Sequence, residues 1–439
     1  MTACLSAPAQ AAEGDTAGAL RVSGSVRVRY ETLDGQARAG LNATDEQLAL
    51  RTTLLAEYRH GAFRLGGELY DSRAYLGKQG SAISSNDVNA FEPVQAYLAA
   101  DIDPPFIPGA KASVQLGRFL LNLGSRRLIA ADDYRNATNS YTGVRGDLTL
   151  RGGGTATLFY TLPQTRLPDD LPSVLDNVAR LDRESFRQQL WGGVVAQPHA
   201  LGRLMVEASY YRFQEKDAPG FPTRDRNLHS IGARLITAPQ IGRFDYEVEG
   251  IYQFGHASPS TAAQAARLPV GAQFFHADMG YSFPGPMQIH LSVEYDRASG
   301  DRGRGKYTRF DTLFGMRRGD FGPAGIYAAI GRTNISSPGV RVEIAPNKKW
   351  DAFATYRVLW LASAVDSFST TSVRDTSGAS GSFAGHQVEG RVRYWFVPNR
   401  LRGEVNAAWL AKGRFLKNAP SAPETGDTHY LAMAVTVSF

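Results

Sequence analysis

Apolar and polar residues alternate with a period of two along almost the whole chain. In RVSGSVRVRYE (21–31), Val22, Gly24, Val26, Val28 and Tyr30 fall on one side, against Arg21, Ser23, Ser25, Arg27, Arg29 and Glu31. FDYEVEGIYQF (244–254) sets Phe244, Tyr246, Val248 and Tyr252 against Asp245, Glu247 and Glu249. MQIHLSVEYD (287–296) opposes Ile289, Leu291, Val293 and Tyr295 to His290, Glu294 and Asp296, and HQVEGRVRYWF (386–396) opposes Val388, Val392 and Tyr394 to Glu389, Arg391 and Arg393. Successive side chains of a strand point to opposite faces, so the pattern predicts strands with one apolar and one charged face. A helical period would scatter both classes around the element.

The connections alternate as well. Short turns fall at HG (60–61), RGGG (151–154), HALG (199–202), APQIG (238–242), PGP (284–286), PNKK (346–349) and VPNR (397–400). Between them lie long polar segments near 32–45, 73–90, 119–140, 163–183, 215–226, 257–270, 298–335, 363–382 and 413–426. Strands joined alternately by short and long links predict an all-β fold, a closed antiparallel transmembrane β-barrel of about 18 strands with short periplasmic turns and long extracellular loops. Residues 306–335 are read as loop, because one extra strand would put the C-terminus on the wrong side of the membrane. The final AMAVTVSF alternates up to Phe439, as expected of a strand that closes the wall against the first one. It also resembles the signal read by the outer-membrane assembly machinery. Tyr30, Tyr58, Phe63, Phe283, Tyr295, Phe396 and Trp409 share the outward parity and suit interfacial girdles at the lipid boundary.

Composition removes the competing membrane architecture. Only 43% of residues are hydrophobic, and no apolar run reaches the ~20 residues of a spanning helix. The one cysteine, Cys4, offers no disulfide or metal quartet. It stands in MTACLSAPAQAAEG, where Ala9-Gln10-Ala11 reads as the end of a secretory signal. Residues 1–18 are therefore expected to be a signal-peptide remnant and leader, and 19–439 the barrel, in the bacterial outer membrane.

The formal net charge of +6 is too mild for a nucleic-acid arm and makes an anionic partner plausible. Position matters more than the sum. With the polar face turned to the lumen, strands near the two chain ends contribute Arg21, Arg27, Arg29, Arg51, Arg64, Arg341, Arg357, Arg391, Arg393 and Arg402. The middle of the chain contributes an opposing acidic wall of Asp245, Glu247, Glu249, Asp278, Glu294 and Asp296. Two such arcs would create a transverse field in a wet lumen and draw anions to one side.

The stretch LGRFLLNLGSRRLIAADDYRNATNSYTGVRG (116–146) resembles the alginate export family of outer-membrane barrels through Gly117, Arg118, Gly124, Arg127, Leu128, Arg135, Asn136, Tyr141, Gly143, Val144 and Arg145. TYRVLWLASA (355–364) is similar to the family's late strand through Tyr356, Trp360, Leu361 and Ala362. The resemblance implies that an anionic polysaccharide, alginate-like, passes an arginine-lined lumen. Arg118, Arg126, Arg127, Arg135 and Arg145 would form part of that conduit, a loop would fold inward near 119–140, and periplasmic export partners would assist. Arginine suits the task because its planar fork binds carboxylates in pairs of hydrogen bonds. VPNR departs from the long periplasmic turn that exporters of this family can carry, which leaves a less selective porin for small anions, or uptake of acidic oligosaccharides, as the alternative.

An enzyme or adhesin finds less support. GDRGRGKY (300–307) nearly spells a phosphate-binding loop, but Tyr307 replaces the Ser or Thr that holds magnesium. Asp132 and Asp133 are adjacent on a loop, His256 and Ser258 lack a third partner, and the dispersed histidines show no metal spacing. No cofactor is implied.

Overall fold

The structure is a computed structural model that describes residues 18–439. The expected leader, with Cys4 and Ala9-Gln10-Ala11, lies outside the described residues. Strand β1 (Ala19–Asp34) opens the wall, followed by β2 (Thr44–His60), β3 (Phe63–Tyr75), β4 (Asn89–Ile102), β5 (Lys111–Phe119), β6 (Tyr141–Thr149), β7 (Thr155–Pro163), β8 (Gln188–Leu201) and β9 (Leu204–Glu215). The second half comprises β10 (Asn227–Thr237), β11 (Phe244–Ala257), β12 (Leu268–Ser282), β13 (His290–Ala298), β14 (Ile335–Asn347), β15 (Trp350–Trp360), β16 (Phe383–Val397), β17 (Leu401–Lys412) and β18 (Thr428–Ser438). Each strand pairs antiparallel with its chain neighbours, and β18 returns to β1, so the 18-stranded sheet has no edge. At the seam Val26 stands opposite Val437. Gly24 and Phe439 exchange backbone hydrogen bonds of 2.9 and 3.0 Å.

Burial along the strands is inverted relative to a protein whose outer surface meets water. Val26 and Val28 are exposed while Arg29 and Glu31 are 2% and 0% exposed; Leu291 and Val293 are exposed while Asp296 is buried. Tyr58, Phe63, Phe283, Phe396 and Trp409 are exposed too. This is the parity demanded when hydrocarbon lies outside and the backbone must satisfy itself around a closed ring. The shortest strands, β5, β6, β7 and β13, have nine residues each, at the lower limit of about 9–11 for a tilted crossing.

The long loops fall where the pattern placed them, and no strand of the wall lies between Ala298 and Ile335. One periplasmic turn escaped the pattern: 103–110 joins β4 to β5 through Pro104, Pro105, Pro108 and Gly109, the last at φ +75°. Two short helices, α1 (Leu171–Leu175) and α2 (Arg414–Asn418), sit in loops.

The β5–β6 loop (120–140) and the β13–β14 loop (299–334) fold into the lumen and meet there. Ile129 and Phe314 form a parallel bridge. Phe314 packs edge-on against the inward rings of Tyr141 and Phe213, with centroids 5.7 and 5.4 Å apart. The approach is close enough to require glycine at 315, where an added Cβ would lie 1.9 Å from the Arg127 carbonyl oxygen.

Candidate functional site: the lumenal neck

The β5–β6 loop spans the lumen as a crossbar tied at both ends. At one end, β1 and β2 present arginines to its backbone. Arg27 donates to the carbonyl oxygens of Asp133 (2.8 Å) and Arg135 (2.9 Å). Arg51 donates to the same two at 3.2 Å, and Arg29 to that of Tyr134. Asn136 completes the mooring, its amide donating to the carbonyls of Leu50, Arg73 and Asp87.

At the other end the loop supplies the cation. Arg127, 2% exposed, places Nη1 2.5 Å from both Glu247 and Glu249 of β11. Its Nε and Nη2 clasp Asp320 of the β13–β14 loop at 3.0 and 3.1 Å. Arg332 binds the same carboxylate through Nε at 2.8 Å and donates to the Met316 carbonyl. Burial alone would push the Asp320 carboxyl up, but Arg127 and Arg332 hold it well below the usual carboxylate range. A buried charge persists only when paired in this way.

Most of the other sequence-predicted lumenal arginines lie beside carboxylates. Arg357 binds Asp296 at 2.8 Å and Glu294, so the basic and acidic arcs touch directly along β13 to β15 instead of only facing each other across water. Arg118 pairs with Glu92 and, at 3.0 Å, Glu184; Arg145 with Asp147 at 2.7 Å; Arg64 with Asp101 at 2.9 Å; Arg341 with Glu343 at 2.7 Å. Arg391 and Arg393 share Asp351 at 2.8 and 3.0 Å, while Arg402 stands 3.8 Å from Glu404. On the acidic wall Asp245 meets His290 at 3.1 Å, and Asp278 is half-buried on the lumenal face. Arg21 is exposed near the periplasmic rim. Arg126, half-buried in the crossbar, has no carboxylate partner among the described residues.

Cations outside the alternating pattern gather where four loops converge: Arg38 after β1, Arg135 on the crossbar, Arg166 after β7 and Arg317 after β13. Their direct carboxylate contact is Asp132, 3.3 Å from Arg135; Asp45 and Asp87 act on Arg38, and Asp182 on Arg166, only at longer range. Arg166 is held instead by neutral acceptors, among them the Ser85 carbonyl at 3.0 Å and Asn86 Oδ1 at 2.6 Å. Burial first, then the Arg135 charge, brings Arg166 down to about 10. Burial, then Arg135 and Arg38, brings Arg317 to about 9. Such mutually repelling guanidinium groups stay protonated at neutral pH, and an anion among them relieves the repulsion.

Sequence parity could not reveal Arg38, Arg166, Arg317, Asp320 or Arg332, because loop residues carry no period. The available signal was the length of 298–335, since a connection beyond about 15 residues without regular structure is usually functional. Among the described residues no group of His, Cys, Asp and Glu is arranged to hold a metal ion.

The Alginate export family model matches residues 19–427. No curated protein sequence matches the chain. Among solved structures, Acinetobacter baumannii OccAB1 is similar at 12% identity and a TM-score of 0.63, over 96% of each chain. Pseudomonas aeruginosa OccK3 (OpdO) is similar at 12% identity and 0.58, over 96% of this chain and 95% of that one. Pseudomonas aeruginosa OccK2 (OpdF), solved in complex with glucuronate, is similar at 12% identity and 0.56, over 95% and 96%.

Proposed function

The chain belongs to the alginate export family and forms a channel of the bacterial outer membrane, and from that premise we propose that it passes anionic saccharide of the uronate class. The observation that carries this reading is the guanidinium excess at the neck, where Arg135, Arg166 and Arg317 stand around Asp132 and Arg38 adds its charge beside Arg317. Guanidinium groups bind carboxylates through paired hydrogen bonds. Several weak sites in series let a charged polymer enter and leave. The glucuronate bound by OccK2, a barrel of like fold, supports the same substrate class.

Passage of small anions or short acidic oligosaccharides is the second reading. It is favoured by the crossbar narrowing the lumen and by the three residues, 398–400, that separate β16 from β17 on the periplasmic side.

Single-channel recording in planar bilayers, titrated with oligouronates, tests the proposal. The wild-type current is blocked by oligouronate, and Arg135→Gln combined with Arg317→Gln weakens the block about tenfold or more. Equal block in both proteins overturns the assignment of the neck. Block by chloride-sized anions and not by oligouronate leaves passage of small anions alone in its place.

A further inference from the structure

The lipid-facing wall is uneven where β6 to β9 run side by side. Gly146 and Gly193 leave a floor without side chains, and Leu158, Tyr160, Trp191, Val195 and Tyr210 rise around it to form a groove of about 710 Å³. The groove is open at its centre, since a Cβ added at Gly146 would meet nothing within 4 Å. Its aromatic side chains lie toward the extracellular ends of β7, β8 and β9.

Above the groove, continuing the outward parity of Trp191 and Tyr210, stand Arg187, Arg212 and Lys216. Arg212 is opposite Trp191 in the ladder, its guanidinium carbon 5.8 Å from the indole centroid, and its Nε donates to Asn227 Oδ1 at 3.0 Å. The Lys216 amide donates to the Arg187 carbonyl at 3.0 Å, which sets these two exposed side chains next to each other. Among the described residues no ion pair engages any of the three. The acids that neighbour them in sequence are occupied elsewhere, Glu184 by Arg118 at 3.0 Å, Glu215 by Arg226 at 2.7 Å and Asp217 by Thr223, whose amide and hydroxyl donate at 2.6 and 2.9 Å.

An apolar groove alone would accept any bulk acyl chain. Unpaired cations at its outer end, at headgroup height, select for negative charge. We propose that this face holds one acylated, phosphate-bearing lipid of the outer leaflet, with an acyl chain along the Gly146–Gly193 floor and its phosphate on Arg212, Arg187 and Lys216. Arginine and lysine both bind phosphate, arginine through two parallel hydrogen bonds.

Native mass spectrometry of the full chain in detergent, with bisphosphorylated lipid A and its dephosphorylated counterpart as probes, tests the site. Wild type retains one phosphorylated molecule with a preference of about tenfold or more over the dephosphorylated form. Arg187→Gln, Arg212→Gln and Lys216→Gln together abolish the preference. Gly146→Trp, which fills the groove from the open side, lowers retention of both forms while the block by oligouronate is unchanged. Equal retention of both lipids by wild type, or unaltered preference in the triple variant, overturns the proposal. So does a stable dimer through this face that the phosphorylated lipid fails to dissociate.

Discussion

The two walls of the lumen hold the same loop by opposite chemistry. On the acidic wall, Glu247 and Glu249 receive a cation from the crossbar, so strand charge and loop charge cancel. On the basic wall, Arg27 and Arg51 meet neutral carbonyl oxygens, which accept from their Nη atoms and leave their charge in place. The loop thus neutralises acidic strand charge at one end and leaves basic strand charge unpaired by its own backbone at the other.

Breaking the acidic-wall tie should have the largest effect. Arg127→Ala strips the cation from Glu249 and one of two from Glu247 and Asp320, which keep Arg234 and Arg332, and removal of one partner from a buried ion pair costs about 3–5 kcal/mol. We expect the crossbar to detach, with a larger and noisier single-channel conductance and faster proteolysis within 120–140. A wild-type trace from this variant would mean that the loop is held by other contacts.

Loosening the basic wall should do less. Arg27→Ala with Arg51→Ala removes donors to the Asp133 and Arg135 carbonyls, each hydrogen bond to a charged group being worth about 1.5–3 kcal/mol. Asn136 and Arg29 still grip the neighbouring backbone. Conductance is expected to rise by less than in Arg127→Ala, and anion preference in reversal-potential measurements to fall, since this pair carries uncancelled charge. The reverse order of the two conductance changes would invert the comparison.

Acidification should do least. A depressed carboxyl contributes stability that is fully present above its unfolded value of about 4 and is lost as pH falls through its lower folded value. Because Asp320 is held down by Arg127 and Arg332, the clamp persists across mildly acidic conditions. Proteolysis within 120–140 should therefore stay as slow at about pH 5 as at about pH 7. A step in that interval would show that the clamp is not ionised as described.

The strands were legible because lipid on one side and water on the other impose a strict two-residue period, as between Val26 and Arg27 or Val248 and Glu249. The turn at 103–110 was not, although Pro104, Pro105, Pro108 and Gly109 punctuate it, since Phe106 and Ile107 continue the apolar character of the flanking strands. The site was legible in part. Parity placed Arg27, Arg51, Glu247 and Glu249 on the lumenal face, and the family resemblance pointed to Arg127 and Arg135. What these side chains grip depends on where the loops land. Neither Asp320 nor Arg317 belongs to a repeating pattern, so three-dimensional proximity alone brings Asp320 to Arg127 and Arg317 to Arg135.

A hollow cylinder flattens easily when squeezed from the side, whereas one braced across its waist keeps a round section. By tying β1 and β2 to β11 through a single stretch of chain, residues 120–140 act as such a brace. Changes in lateral pressure from the surrounding bilayer are thus borne by Arg127 and its partners as much as by the sheet.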